Sequence, residues 1–185
     1  MTTATNAHTL SGDYALDPAH TRIGFVARHA MVTKVRGSFN EFAGTARIDG
    51  DDPARSTVEV TIQAASIDTR NADRDAHLRG ADFLGLDEFP EITFRSTGVT
   101  WTGEDAFDLT GELTVRGTTR TVTVPFAVEG QATDPFGNVR VGFDGSTTIS
   151  RKDFGLTWNA ALETGGVLVS DKVTLEFEVS TIRQS

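Results

Sequence analysis

Four histidines, at positions 8, 20, 29 and 77, are the first residues to ask about proton transfer or metal binding. Their spacing suits neither, because no H-x-H or H-E-x-x-H pair puts two imidazoles on one strand face or one helical turn, so a zinc site is not expected. The chain has no cysteine, and therefore no thiol nucleophile and no disulfide framework. It also lacks a G-x-S-x-G elbow, a P-loop and a dinucleotide fingerprint. His29 is the most suggestive of the four. It shares strand parity with Ile23, Phe25 and Ala27, so it ends an apolar face, where it could bond a ligand head group, serve as a base, or satisfy a buried carbonyl. Arg74 and His77 stand three residues apart, near neighbours on a helix that could meet a phosphate or a polar ring, with Asp73 and Asp75 as competing partners. Arg151 and Lys152 offer a second phosphate contact or ordinary loop charges. No residue is assigned a catalytic role.

The apolar residues carry more information. Twelve Phe stand against one Tyr and two Trp, so the interior holds many rings without polar handles. Phe25, Phe42, Ile62, Phe94, Phe126, Phe143 and Phe177 all fall on the inward parity of alternating runs. Such rings either fill a solid core or line a cavity suited to hydrocarbon.

The elements that position them are strands. In the stretch 14–49 the inward set runs Val35, Gly37, Phe39 and then Phe42, Gly44, Ala46, Ile48, a change of parity near Asn40 or Glu41 that suggests a β-bulge bending a long strand. Alternation continues through Val58, Val60 and Ile62, through Ile92 and Phe94, and through Leu109, Leu113 and Val115. After a brief R-G-T-T turn it resumes at Val122, Val124, Phe126 and Val128, which reads as a hairpin. Pro125, on the other parity, removes a ladder donor and hints at a bulge or a frayed edge. Val139, Val141 and Phe143 begin a further strand, and Val173, Leu175, Phe177 and Val179 the last. A short helix is expected from Ala72 to Arg79, with Asn71 as N-cap, acidic residues in the first turn and Gly80 as the stop. About eight strands, one helical interruption and no βαβ rhythm make an all-β, antiparallel barrel or sandwich.

Several motifs in order then bear a resemblance. D-P-x-H-T at Asp17–Thr21, F-x-x-x-H at Phe25–His29, G-x-F at Gly37–Phe39 and F-x-G at Phe42–Gly44 resemble the opening of the YceI-like family of polyisoprenoid-binding proteins. SIDTRNADRDAHLRGADFL, FPEITFRST, GELTVRGTTRTV and ISRKDFGL agree with it in the same order, over roughly residues 13–180. The resemblance implies an eight-stranded, lipocalin-like barrel with a short helical insertion. It also implies binding, storage or transport of an isoprenoid or other amphipathic lipid without chemistry. The ligand-binding residues expected on that reading are Phe25, His29, Phe42, Ile62, Arg74, His77, Phe94, Phe126, Phe143 and Phe177. No cofactor is expected. The competing readings are an enzyme acting on a lipid-like substrate with His29 as base, and an interaction or stress-response protein without a working pocket.

Composition sets the remaining bounds. A chain of 185 residues suits one domain, read here as a flexible lead over residues 1–11 followed by a single barrel over 12–185. A net charge of -9 repels a phosphate backbone, which argues against nucleic acid as a partner. MTTATNAHTL has neither a basic nor an apolar signal region, and no apolar run approaches membrane-spanning length, so a soluble, cytoplasmic protein is expected. A sheet edge left by imperfect closure would allow a homodimer.

Overall fold

The computed structural model describes residues 10–163 and 166–184. Of the expected lead, residues 1–9 lie outside the described residues, whereas Leu10 and Ser11 belong to the folded domain. Leu10 is fully buried, and the Ser11 hydroxyl accepts from Gly50 N–H at 3.1 Å.

Eleven strand segments form one antiparallel sheet: β1 (Gly12–Leu16), β2 (Arg22–His29), β3 (Thr33–Phe39), β4 (Phe42–Ile48), β5 (Thr57–Gln63), β6 (Ile67–Asp68), β7 (Glu91–Trp101), β8 (Ala106–Val115), β9 (Thr118–Thr133), β10 (Val139–Ser150) and β11 (Lys172–Arg183). The order β1-β4-β5-β7-β8-β9-β10-β11 returns to β1, so eight strands close a barrel. Closure uses both halves of β11: Thr181–Arg183 pair with β1 and Thr174–Glu178 with β2. β2 continues β1 beyond a kink at Asp17–Thr21, β3 runs into β4 across Asn40–Glu41, and β5 and β6 are separated by a 3-10 turn at Ala64–Ser66. Each resulting stave is paired to its neighbours in sequence, an up-and-down barrel.

The parity change in the first hairpin is real, though it is made by a two-residue interruption rather than a one-residue bulge. There Asn40 N–H donates to Ser66 C=O and Gln63 N–H to Glu41 C=O. True bulges lie elsewhere, between Ser96 and Gly98 against β8 and between Gly142 and Phe143 against β9. The β8–β9 hairpin turns at Arg116–Gly117, both in left-handed backbone. Pro125 pairs with Asp108 of β8, and on its other side the ladder to β10 ends at Phe126 opposite Gly145, the expected frayed edge. The 3-10 turn Arg151–Phe154 packs against both β9 and β10, with Phe154 almost fully buried.

The helix α1 (Ala72–Arg79) has the predicted bounds, and its Asn71 cap accepts from Arg74 N–H at 2.9 Å. No helix among the described residues is long and apolar enough to cross a membrane. Two apolar clusters make the core. One gathers Ile23, Phe42, Ile62, Ile67, Leu84, Ile92, Leu113 and Phe154, and the other gathers Leu10, Tyr14, Val128 and Val141.

Candidate functional site: an apolar cavity inside the barrel

Members of the first cluster line a cavity of about 330 Å³ within the barrel, together with Ala46, Ile48, Trp101, Phe107 and Phe143, which pack against the second. Its wall is mostly apolar, with Arg47, Ser56, Thr57, Arg151 and Thr181 as the polar and charged residues on it. The volume lies at the low end for ligand pockets, and an interior between eight staves is narrow, which suits a slender chain.

Glycines opposite phenylalanines help keep the interior open. Gly37 pairs with Phe25 and Gly145 with Phe126, and Gly111 lies diagonal to Phe94. A Cβ at Gly145 would fall 2.6 Å from Phe126 Cδ1, and one at Gly111 would fall 2.5 Å from Phe94 Cζ; the Phe25 ring lies against Gly37 in the same way. Where the facing residue has no side chain, a ring lies down on the wall and the lumen beside it stays empty. Further along, Trp101, Phe107, Phe126 and Phe177 form a chain of rings with centroids 5.1, 5.6 and 6.0 Å apart, and Phe143 meets Phe107 edge-on at 5.8 Å. These rings stand on the consecutive staves β7 to β11, and all five border the cavity.

Of the expected site residues, Phe25, Ile62, Phe94, Phe126, Phe143 and Phe177 line the cavity. Phe42 is buried with Ile62, Leu84 and Ile92 but is not part of the lining: it follows the Asn40–Glu41 interruption and packs into solid core. His29 keeps the parity of Phe25 but lies beyond Ala27, exposed at the strand end, where it bridges to Val169. Arg74 donates from Nε to Thr69 Oγ1 at 2.7 Å and from Nη2 to Thr69 C=O at 2.6 Å. Thr69 in turn donates from its N–H and its hydroxyl to the buried Asp75 carboxylate. Arg74 therefore helps anchor the start of α1 and is not among the cavity residues. His77 sits edge-on to Phe83 and Trp158, with Nε2 2.9 Å from Asp82 Oδ2, while the residue after it, Leu78, reaches the cavity.

Arg151 is the residue whose role the sequence least revealed. Its side chain is almost fully buried, and it donates from Nε to Ser170 C=O (2.8 Å), from Nη1 to Leu156 and Trp158 C=O (2.6 and 2.9 Å), and from Nη2 to Val169 C=O (3.3 Å). Burial pushes this guanidinium below its ordinary pKa, with Asp171 opposing the shift. The acceptors lie on both legs of the connection 155–171, so Arg151 holds the two legs together. Asn159 adds a second tie, accepting from Val169 N–H at 3.0 Å and donating to Val169 C=O at 2.8 Å. Leu156 and Val169, held by these bonds, belong to the lining. Arg151 is itself among the residues that border the cavity, and all four of its hydrogen bonds run to carbonyls of the connection.

The D-P-x-H-T segment is likewise a joint. His20 Nδ1 lies 2.7 Å from Asp17 Oδ2, and Thr21 exchanges two bonds with Ser180 of β11, which fastens the kink between β1 and β2.

The model of the YceI-like domain matches residues 14–181, all eight staves of this barrel. The chain belongs to the YceI-like family. A UPF0312 protein of Ectopseudomonas mendocina is 37% identical over 177 residues, covering 95% of this chain and 90% of its own. Among solved structures, BcnA of Burkholderia cenocepacia superposes with a TM-score of 0.78 at 26% identity, covering 89% of this chain and 98% of BcnA. A YCEI protein of Campylobacter jejuni gives 0.73 at 26% identity, covering 85% of this chain and 90% of its own. A polyisoprenoid binding domain of Saccharophagus degradans shares the fold at 17% identity, with a TM-score of 0.72 and coverage of 92% and 98%. In this YceI-like chain the glycines beneath the rings, the turn histidine His20 and the Thr69–Arg74–Asp75 knot all serve the barrel around the cavity.

Proposed function

We propose that this YceI-like protein binds and carries the hydrocarbon chain of an isoprenoid or similar amphipathic lipid, without transforming it. The observation that carries the reading is the cavity itself: set between eight staves, about 330 Å³ in volume, and lined mainly by Phe, Leu, Ile and Val. Such a lining favours a hydrocarbon chain over a head group, which would lose hydrogen bonds along most of it. Each prenyl unit withdrawn from water contributes about 2 kcal/mol by area before ordering costs, so a few units suffice for useful affinity. The description of the Saccharophagus degradans domain as polyisoprenoid binding supports prenyl chains as the first ligands to test. The enzyme reading has weaker support, because His29, its proposed base, lies outside the cavity lining.

Organic extraction of the purified protein followed by mass spectrometry, together with titration of a long-chain ubiquinone and a prenyl phosphate, tests the proposal. Recovery or uptake of one lipid chain per barrel is expected. Absence of any extracted lipid combined with no uptake of either probe would overturn it.

A further inference from the structure

Three of the four most exposed large apolar side chains among the described residues meet at one place. Met31 (60% exposed) and Val32 (79%) form the tip of the β2–β3 hairpin, and Val167 (41%) stands beside them on the returning leg of the 155–171 connection. The two segments are joined: Ala30 N–H donates to Leu168 C=O at 2.7 Å, the Met31 thioether lies over Gly166, and His29 bridges to Val169.

These bonds hold the tip against the connection but leave its apolar side chains in solvent. Ala30 and Met31, two of the three residues between the last paired positions His29 and Thr33, both occupy left-handed backbone, with φ of 51° and 63°, a conformation that favours Gly and Asn. Strain of this kind at a solvent-facing tip points to what the tip touches. The charges nearby are equally unfavourable for folding alone. Arg28 and Lys34 face each other directly across the hairpin, a like-charge pair that destabilises an isolated ladder. No acidic residue occurs from Pro18 to Asn40, a stretch that holds Arg22, Arg28, Lys34 and Arg36, although the whole chain carries 26 acidic side chains. Arg22 and Arg36 meet Glu176 at 3.3 and 3.6 Å, farther from the tip than Arg28 and Lys34.

We propose that this tip docks on an anionic phospholipid bilayer. Met31, Val32 and Val167 enter the interfacial layer while Arg28 and Lys34 meet lipid phosphates, an apolar point flanked by cations. The remaining surface of a chain with net charge -9 is repelled by the same membrane, which leaves one orientation favoured. Val169 and Ala27, adjacent to the docking segments, line the cavity, so the docked end adjoins the cavity wall. Docking does not depend on what the cavity holds.

Flotation with vesicles of phosphatidylcholine alone, and of phosphatidylcholine mixed equally with phosphatidylglycerol, decides the matter. The wild type is expected to float with the mixed vesicles at low salt, and several-fold less at high salt or with phosphatidylcholine alone. The double variants M31D/V32D and R28E/K34E should each lose roughly tenfold or more. Phe136→Asp, at the exposed tip of the β9–β10 turn, should float as the wild type does. Uptake of a long-chain ubiquinone offered in ethanol, equal to wild type in both double variants, shows that they are folded. Absence of wild-type flotation with mixed vesicles, or wild-type flotation by M31D/V32D, would overturn the proposal. Retained flotation by a wild type that yields no extracted lipid and takes up neither ubiquinone nor prenyl phosphate would sink the carrier reading and leave the docking surface standing.

Discussion

At the scale of single residues, the cavity depends on side chains that are missing. Phe126 lies on Gly145 and Phe25 on Gly37, and each ring would have to leave the wall if its glycine gained a branched side chain. Gly145→Val is therefore expected to swing Phe126 into the lumen, lowering lipid capacity roughly tenfold while overpacking costs about 1–3 kcal/mol of stability. Titration with a long-chain ubiquinone and urea unfolding read the two effects separately; unchanged uptake would show that the ring does not border the ligand. The inward position of Phe126 was legible from alternation alone. That it lies flat was not, because the cross-strand partner of a residue is set by register, and Gly145 is nineteen positions away in the chain.

At the scale of elements, the connection 155–171 behaves as a built part of the barrel through Arg151. Its four bonds end on backbone carbonyls of Leu156, Trp158, Val169 and Ser170, and removal of the guanidinium would leave buried acceptors without donors. Arg151→Ala is expected to destabilise the protein by about 3 kcal/mol in urea unfolding. It should also raise proteolytic sensitivity within 155–171 ahead of the strands. Lys152→Ala, an exposed neighbour, should change stability by less than about 0.5 kcal/mol. The helix α1 shows the opposite case: Asn71, Asp73, Asp75 and Gly80 announce its bounds because capping and dipole effects act within one turn. The tasks of Arg74 and Arg151 were hidden, since a cation in a turn reads the same whether its partner is a carbonyl, a carboxylate or a phosphate.

For the whole molecule, the network of Asp17, Arg140, Asp134 and His20 couples the β1–β2 kink to the β9–β10 turn. Arg140 Nη1 lies 2.6 Å from Asp17 and Nε 2.8 Å from Asp134. The Arg140 bond is the largest cause holding each carboxyl below its ordinary value of 3.8. Because both are depressed in the folded state, their contribution is fully present above that value and is lost as pH falls through the lowered folded values. Thermal unfolding across acidic pH should therefore show a fall in midpoint below about pH 4, and Arg140→Ala should flatten it; an unchanged slope would remove the network from the acid response. Chain pattern by itself determined the strand class, the helix bounds, the hairpin at Arg116–Gly117 and the inward faces, because these follow from periods of two and 3.6 and from local turn chemistry. Only the tertiary structure decided that β11 divides between β1 and β2 to close the ring, that Phe42 is solid core while Phe25 borders a hollow, and that Arg151 faces carbonyls. Closure and hollowness depend on pairings between residues far apart in the chain, and alternation has the same form in a sandwich and in a barrel.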